Sequence, residues 1–471
     1  MNPSPAAFLA NAREALQDAT LQEALRRARA GFIQKRAKAL AATPEFPQLR
    51  ERAAAVKTDA LNRLPDLLQQ YEQAVHASGG QVHWAETADE AKDIVLQLCA
   101  QASQSGGARV AKGKSMVAEE VALNPALEAA GHHVLETDLG EYIIQLAQEP
   151  PSHIIAPAVH KTREQVADLF AKHHQDLPER LESIPDLVAE ARRKLRQGFL
   201  DADIGITGAN LLIADTGTSV LVTNEGNGDL SATLPKTHIV IAGIEKVVPD
   251  WQAATDILRV LGRSATGQAI TAYTSFFTGP KRTADLDGPE QYHVVLVDHG
   301  RADISRGPYR DMLRCIRCGA CINHCPIYAA VGGHAYGAVY PGPMGSVLTP
   351  LLNGLEAARE LPNACSLCGR CGEVCPVKIP LPDLLRRLRE DQHHAGLTRL
   401  HGAMQLWSWA ARRPRLWRWL MRLGSWTLRG FALGKGRSRT IPFAAGWTAG
   451  RDLPTPNQGA FLDQWRRRAK P

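Results

Sequence analysis

Cys315-Ile316-Arg317-Cys318-Gly319-Ala320-Cys321-Ile322-Asn323-His324-Cys325-Pro326 is followed, after a spacer, by Cys365-Ser366-Leu367-Cys368-Gly369-Arg370-Cys371-Gly372-Glu373-Val374-Cys375-Pro376. Both stretches have the form C-x2-C-x2-C-x3-C-P, the run with which bacterial-type ferredoxins hold cubane iron–sulfur clusters. Three closely spaced thiolates can reach three irons of one cube from a single turn of chain. The fourth, just before proline, ligates the other cube in two-cluster proteins. The duplication therefore predicts two [4Fe–4S] clusters with crossed ligation. Cys315, Cys318, Cys321 and Cys375 would hold one; Cys365, Cys368, Cys371 and Cys325 would hold the other. Disulfides between neighbours this close would be strained. Structural zinc normally takes two separated Cys/His pairs, not a four-cysteine run.

The spacer from Pro326 to Ala364 contains Tyr340-Pro341-Gly342-Pro343 and a helical stretch around Leu348 to Leu361. A compact βαββαβ ferredoxin would use a shorter one, so residues 306–395 are expected to form a helical dicluster ferredoxin domain. Residues 1–75 place Leu16, Leu21, Leu25, Phe32 and Ile33 on a roughly helical period, broken at Thr43-Pro44-Glu45-Phe46-Pro47. They are expected to be an N-terminal helical region. Over residues 76–305, short β-branched runs alternate with helix-like pieces such as Ser115 to Ala130 and Lys161 to Lys172. The runs are Val110-Ala111, His133 to Leu135, His153 to Ile155, His238 to Ile241 and His293 to Val297. This alternation predicts an α/β domain with a largely parallel sheet covered on both faces. From Ile204 to Val222 the strands leave no room for helices, which predicts an antiparallel insertion or edge hairpin.

Residues 401–471 carry a net charge of +12, which leaves −5 for the rest of a chain whose total is +7. Seven of the nine tryptophans lie there as well: Trp407, Trp409, Trp417, Trp419, Trp426, Trp447 and Trp465. Residues 396–471 thus form a basic, Trp-rich helical tail, suited to docking a partner, with peripheral membrane contact as the second reading. No nucleic-acid fold accompanies it, so no nucleic-acid partner is expected. No apolar stretch of membrane-spanning length and no secretory signal is present. Eight of the nine cysteines sit in the two runs, which fits a reducing compartment, and a cytoplasmic location is expected. Cys99, in an apolar helical segment, reads as a buried bystander.

Several further stretches resemble the lactate-utilisation protein B family of bacterial lactate oxidation. They are Gly113-Lys114-Ser115-Met116, Glu136-Thr137-Asp138-Leu139-Gly140-Glu141-Tyr142-Ile143, Pro157-Ala158-Val159-His160-Lys161, Ala214-Asp215-Thr216-Gly217-Thr218 and Asn224-Glu225-Gly226-Asn227-Gly228. The two cysteine runs complete the pattern with no ligand missing, and the likeness covers most of the chain. It implies an α/β lactate-utilisation domain similar in fold to ribose-5-phosphate isomerase and CoA-transferase relatives. It also implies a three-protein system oxidising L-lactate to pyruvate, in which this component carries electrons. The implied partners are a cysteine-rich subunit related to heterodisulfide reductases and a second lactate-utilisation-domain protein.

A second candidate site lies in the α/β domain. Lys112, Gly113, Lys114 and Ser115 join a strand to a helix and could face an anion, although an ordinary βα turn has the same composition. Asp215, Thr216, Thr218, Glu225 and Asn227 read as a polar cluster that binds substrate or simply turns the chain. His160-Lys161 either caps a helix or faces the same crevice. No flavin or nicotinamide fingerprint is present, and no catalytic residue is assigned. Oxidising a 2-hydroxy acid removes two electrons, whereas a [4Fe–4S] cluster ordinarily passes one. An electron-transfer subunit is therefore the leading reading. A self-sufficient 2-hydroxy-acid dehydrogenase, or a scaffold with structural clusters, are the alternatives.

Overall fold

The computed structural model describes residues 4–102, 107–177, 180–398, 401–432, 436–440, 448, 451–456 and 460–468. The chain divides into two compact units, residues 1–392 and 393–471.

In the first unit a six-stranded sheet is built from β1 (Gln81–Ala85), β2 (Arg109–Lys112), β3 (His133–Glu136), β4 (Ile204–Gly208), β7 (Thr237–Gly243) and β10 (Gln291–Val297). Their order is β1-β10-β7-β4-β2-β3, and every neighbouring pair is parallel. Parallel strands are covered on both faces and so need apolar side chains on both. Strand β7 meets this with seven consecutive buried residues. Ile239 and Ile241 pack with Val295, Val297, Ile204 and Ile206 against the helices Ala88–Ala102 and Leu123–Ala129. Val240 and Ala242 face the other way, with Val294 and Leu296, onto the helix Leu64–Ala77. Cys99 is fully buried on the inner face of the helix Ala88–Ala102, where burial pushes its thiol up to about 12.

A second sheet, ordered β8-β5-β6-β9, comprises β5 (Leu211–Ile213), β6 (Thr218–Thr223), β8 (Val247–Val248) and β9 (Tyr273–Phe277). The expected antiparallel insertion is thus only part of the segment from Ile204 to Val222. The hairpin β5–β6 is antiparallel, but β4 runs parallel in the interior of the main sheet, between β7 and β2. Its parallel neighbours come from distant sequence, so local spacing does not reveal them.

Three local expectations need correction. His153 to Ile155 is a bend, not a strand. The His153 ring Nδ1 accepts the N–H groups of Ile155 (3.0 Å) and Ala156 (3.2 Å), donors that a sheet would require. Ser115 to Ala130 is two short helices, Met116–Glu120 and Leu123–Ala129, divided at Ala122, which has φ of 54°. The spacer helix is Gly342–Asn353, earlier in sequence than the Leu348–Leu361 stretch, and ends at Gly354 with φ of 92°.

The helices Phe8–Ala15, Ala19–Ala41 and Phe46–Asn62 do not stand apart. Leu21, Leu25, Phe46 and Leu49 share one core with Ile257 and Val260 of the helix Trp251–Ala265 and with the cysteine segment. Arg36 donates to the Val374 carbonyl (3.0 Å), and Arg50 to the Cys375 carbonyl (2.7 Å). The cysteine segment is made of short helices, and among its described residues there is no strand.

In the second unit Pro414 opens the helix Pro414–Ala432, which follows the helix His401–Ala411. Pro at a first helical position loses no internal hydrogen bond, whereas it would break the preceding helix. Arg422 grips Asp463 of the helix Phe461–Arg468 through two bonds of 2.8 and 2.6 Å. Trp407 and Trp417 meet edge to face at 6.0 Å. Trp407, Trp409, Trp419, Trp426 and Trp465 are all exposed. Trp447 lies outside the described residues.

Candidate functional site

None of the nine cysteines is in a disulfide. The two runs turn in the same way. Arg317 and Leu367, each two residues after the first cysteine, have φ of 59° and 54°, and Gly319 and Gly369 have φ of 70° and 83°. A left-handed backbone at a non-glycine residue costs roughly 1–2 kcal/mol. The repeated turn wraps each run around a common centre.

On the crossed pairing expected from the sequence, the thiols form a first set, Cys315, Cys318, Cys321 and Cys375, and a second, Cys365, Cys368, Cys371 and Cys325. Beyond burial, the charges acting on Cys318 come from Cys375, Cys315 and Arg36, and those on Cys321 from Cys315, Cys318, Cys375 and Cys371. Cys325 instead feels Cys365 and Cys368, and Cys371 feels Cys365, Cys325 and Cys368. Burial pushes the Cys371 thiol up to about 12, with these neighbours adding to it. Burial likewise raises Cys318, Cys321, Cys325 and Cys375. Four crowded, desolvated thiols become thiolates only when cations stand among them, which is what iron supplies. Backbone N–H groups are already aimed at sulfur: Leu367 at Cys365 Sγ and Ile379 at Cys375 Sγ, both 3.3 Å. The donor set fits iron–sulfur clusters.

The two sets differ in surroundings. Cys315 of the first set lies within the electrostatic reach of Lys57, Lys246 and Arg317, while Arg36 acts on Cys318 and Arg50 on Cys375. The second set reaches the surface at Cys368, which is exposed beside the 41% exposed Leu367.

Behind Cys315 sits a charge cluster centred on Glu245, just past the end of β7. Arg301 Nε approaches Glu245 Oε2 at 2.8 Å, and Arg317 Nη2 approaches Oε1 at 3.2 Å. Lys57 donates to the Glu245 carbonyl. Burial by itself would raise the Glu245 carboxyl, but Arg301, Arg317, Lys246 and Lys57 outweigh it and hold the pKa near about 2. Arg301 also binds Glu120 at 2.7 Å, as does the Tyr340 hydroxyl, and Arg317 lies 4.9 Å over the Tyr340 ring.

In front of this cluster opens a cavity of about 240 Å³. Gly113, Lys114 and Ser115 line it, as do Glu225 and Asn227. Lys112 does not. It is fully buried in ion pairs with Glu136 (2.6 Å) and Glu119 (3.0 Å). Asp215, Thr216 and Thr218 sit at the β5–β6 turn, where Thr218 bonds Thr216 (2.8 Å) and Thr278 (2.7 Å), and line no part of the cavity. The turn packs so closely on the helix Leu64–Ala77 that a Cβ at Gly217 would lie 2.5 Å from the Val75 nitrogen. The proposed polar cluster is thus two separate features. His160 and Lys161 are elsewhere too: both bind Glu149, with His334 stacked edge-on against His160 at 4.4 Å. Glu149, His160 and His334 are close enough to share a cation, but Lys161 already occupies the carboxylate. The cavity's remaining charged residues, Asp138, Lys246 and Arg317, were not assigned a role from sequence. The Glu245-Lys246 pair directly after the apolar run Ile239 to Gly243 was the available signal, since ligands collect beyond the C-terminal ends of parallel strands.

Residues 68–297 match the LUD domain family, and residues 311–379 match the 4Fe-4S dicluster domain family. The chain is 41% identical over 471 residues to lactate utilization protein B of Shouchella clausii, covering 99% of this chain and 98% of the relative. It is 43% identical over 431 residues to the protein of the same name from Geobacillus thermodenitrificans, covering 90% and 89%. With the uncharacterized electron transport protein YkgF of Escherichia coli it shares 39% identity over 466 residues, covering 98% and 96%.

The chain belongs to the lactate utilization protein B family. Its cofactors are the two [4Fe–4S] clusters of a dicluster domain. Within this family member the Glu245 cluster joins the LUD domain to the first cysteine run. Replacing Glu245 with Gln should strip Arg301 and Arg317 of their shared counter-charge. Losing one partner of a buried ion pair costs about 3–5 kcal/mol, so the denaturant midpoint should fall clearly below wild type. An unchanged midpoint would mean the network contributes nothing to holding the domains together.

Proposed function

We propose that this chain is the electron-transfer subunit of a multi-protein system oxidising L-lactate to pyruvate. What supports the reading is one arrangement: two thiol sets, the first beside the LUD-domain cavity and the second open to the surface at Cys368. Cys315, Cys318, Cys321 and Cys375 would hold one cluster, and Cys365, Cys368, Cys371 and Cys325 the other. When bound, such clusters take up and release single electrons. Arg36, Arg50, Lys57, Lys246 and Arg317 surround the first set with positive charge and stabilise the negative charge of a reduced centre. The exposed edge at Cys368 offers the short path to a partner. Removing two electrons and protons from lactate falls to a partner in this reading. The partners would be a cysteine-rich heterodisulfide-reductase-like subunit and a second lactate-utilisation-domain protein.

We read the chain as an N-terminal helical region to residue 75, an α/β domain to 305, a dicluster domain to 395 and a basic tail beyond. The α/β domain resembles ribose-5-phosphate isomerase and CoA-transferase relatives. The tail is a docking element in a cytoplasmic complex, with anionic membrane as its second occupant. No described helix is long and apolar enough to cross a membrane. The cavity favours the second functional reading, a self-sufficient 2-hydroxy-acid dehydrogenase, because it would bring substrate beside the first set.

Crossed ligation is checked with Cys375→Ala and Cys325→Ala. Each should lower the iron content from about eight toward about four per chain, and the two should lose different EPR signals. The exchange requires Cys375→Ala to lose the same signal as Cys318→Ala and Cys325→Ala the same as Cys368→Ala; the opposite matching would contradict it. The electron-carrier role is checked by mixing the reconstituted chain anaerobically with L-lactate. The cluster absorbance should stay unbleached until the partner proteins are added. Bleaching of the chain alone would establish the dehydrogenase instead. A chain lacking residues 401–471 should keep its clusters yet fail to bleach with partners present. If it still assembles and bleaches but no longer sediments with anionic liposomes, the tail is a membrane element.

A further inference from the structure

The cavity has the charge pattern of a ligand site. Its lining includes three cations, Lys114, Lys246 and Arg317, and two acids, Asp138 and Glu225, so the wall carries a net +1. These charges are not fully used by the protein. The Lys114 Nζ is buried without a hydrogen-bond partner, its nearest carboxylate oxygen being that of Glu141 at 3.8 Å. Lys246 is 6% exposed, and the Glu245 carboxylate next to it is taken by Arg301 and Arg317. Thr223 Oγ1, also in the lining, is buried without a partner. Buried polar groups left unpaired are costly, and two of them, Lys114 Nζ and Thr223 Oγ1, open on one hollow.

The acids are oriented by backbone N–H groups at the start of one helix. Asp138 Oδ1 accepts the N–H groups of Gly140 (3.0 Å) and Glu141 (3.2 Å), and Glu225 Oε2 accepts that of Leu139 (3.1 Å). Each therefore spends one oxygen on the start of the helix Leu139–Ala147 and has the other for a hydroxyl donor. A multiply charged phosphate would meet two carboxylates across a small space. A monoanion satisfies the net +1, and an oxygen-bearing neighbouring carbon satisfies the acids or Thr223. At about 240 Å³ the space is below the ≈ 300–1,000 Å³ usual for drug-sized ligands.

We propose that this cavity binds a small monocarboxylate carrying a hydroxyl or carbonyl on the adjacent carbon, held by Lys114 and Lys246, and that Arg317 ties its occupancy to the first thiol set. Arg317 belongs to both places, lining the cavity while standing between Cys315 and Cys318 in sequence. Negative charge placed beside Arg317 and Lys246 offsets the field that favours adding an electron at Cys315, Cys318, Cys321 and Cys375. Binding therefore lowers the first centre's midpoint potential, and by linkage reduction weakens binding by the same factor. The inference rests on the ligation assigned above, and it gives the carrier a means to sense its system's own acid.

The probes are L-lactate, pyruvate, acetate and inorganic phosphate, titrated calorimetrically into the reconstituted full-length chain without partners. L-lactate or pyruvate should saturate at one site per chain, with acetate and phosphate at least tenfold weaker. Lys114→Gln should weaken binding at least tenfold with unaltered cluster spectra, and Lys246→Gln should weaken it at least tenfold, with Lys246→Arg recovering much of it. If one Gln variant does not load clusters, the other carries the comparison. A mediated redox titration with saturating pyruvate should lower one midpoint and leave the other in place. Absence of saturable binding, phosphate binding tighter than pyruvate, or full affinity in both Gln variants would overturn the proposal. A wild-type chain with a wrong iron count would instead indict the ligation.

Discussion

Glu245 is the constraint on which the arrangement turns. A carboxylate with no solvent access survives as an anion only because Arg301, Arg317, Lys246 and Lys57 surround it. These groups come from the N-terminal helices, the end of β7, the helix after β10 and the first cysteine turn. The ion cluster therefore fixes where the cysteine segment meets the sheet. Removing charge from such a set exposes the remainder to a low dielectric, which makes the junction selective for one geometry. The left-handed backbone at Arg317 is part of the same requirement, since it accompanies the turn that places the guanidinium between Glu245 and Tyr340.

That junction also sets the electrostatics of the two thiol sets. The first lies against cations in the interior, and the second lies under a thin cover at the surface. Potentials of iron–sulfur centres follow net charge, hydrogen bonds to sulfur and solvent exposure, and the nearby charge and the exposure differ between the sets. The nearest thiol charges on Cys325 and Cys375 come from the other run, so the two runs pack as one unit.

Much of this was legible in the sequence. The duplicated runs name their metal chemistry by spacing, and β-branched runs such as His238 to Ile241 give the parallel strands by their alternation with helices. Pro414 marks the break in the tail. What was not legible depends on partners distant in the chain. His153 looks like the start of a strand because Ile154 and Ile155 follow it, yet its ring takes the backbone donors of Ile155 and Ala156 and donates to Asn323 Oδ1 at 3.0 Å. Strand β4 looks like part of a hairpin until β2 and β7 arrive on either side. Lys112 and Lys114 look equivalent, but Lys112 ends β2 and is buried in a salt bridge with Glu136, whereas Lys114 lies in the loop past the strand end and lines the cavity. Lys246 and Arg317 are far apart in sequence and meet only because Glu245 gathers the elements that carry them.

The measurement that bears most directly on this account is EPR of the fully reduced, reconstituted chain, with iron counted on the same sample. Two cubane centres held by exchanged cysteines should give about eight irons per chain and a spectrum broadened by magnetic interaction between two spins. About four irons, or two spectra that add without interaction, would contradict a dicluster relay built from the paired thiol sets.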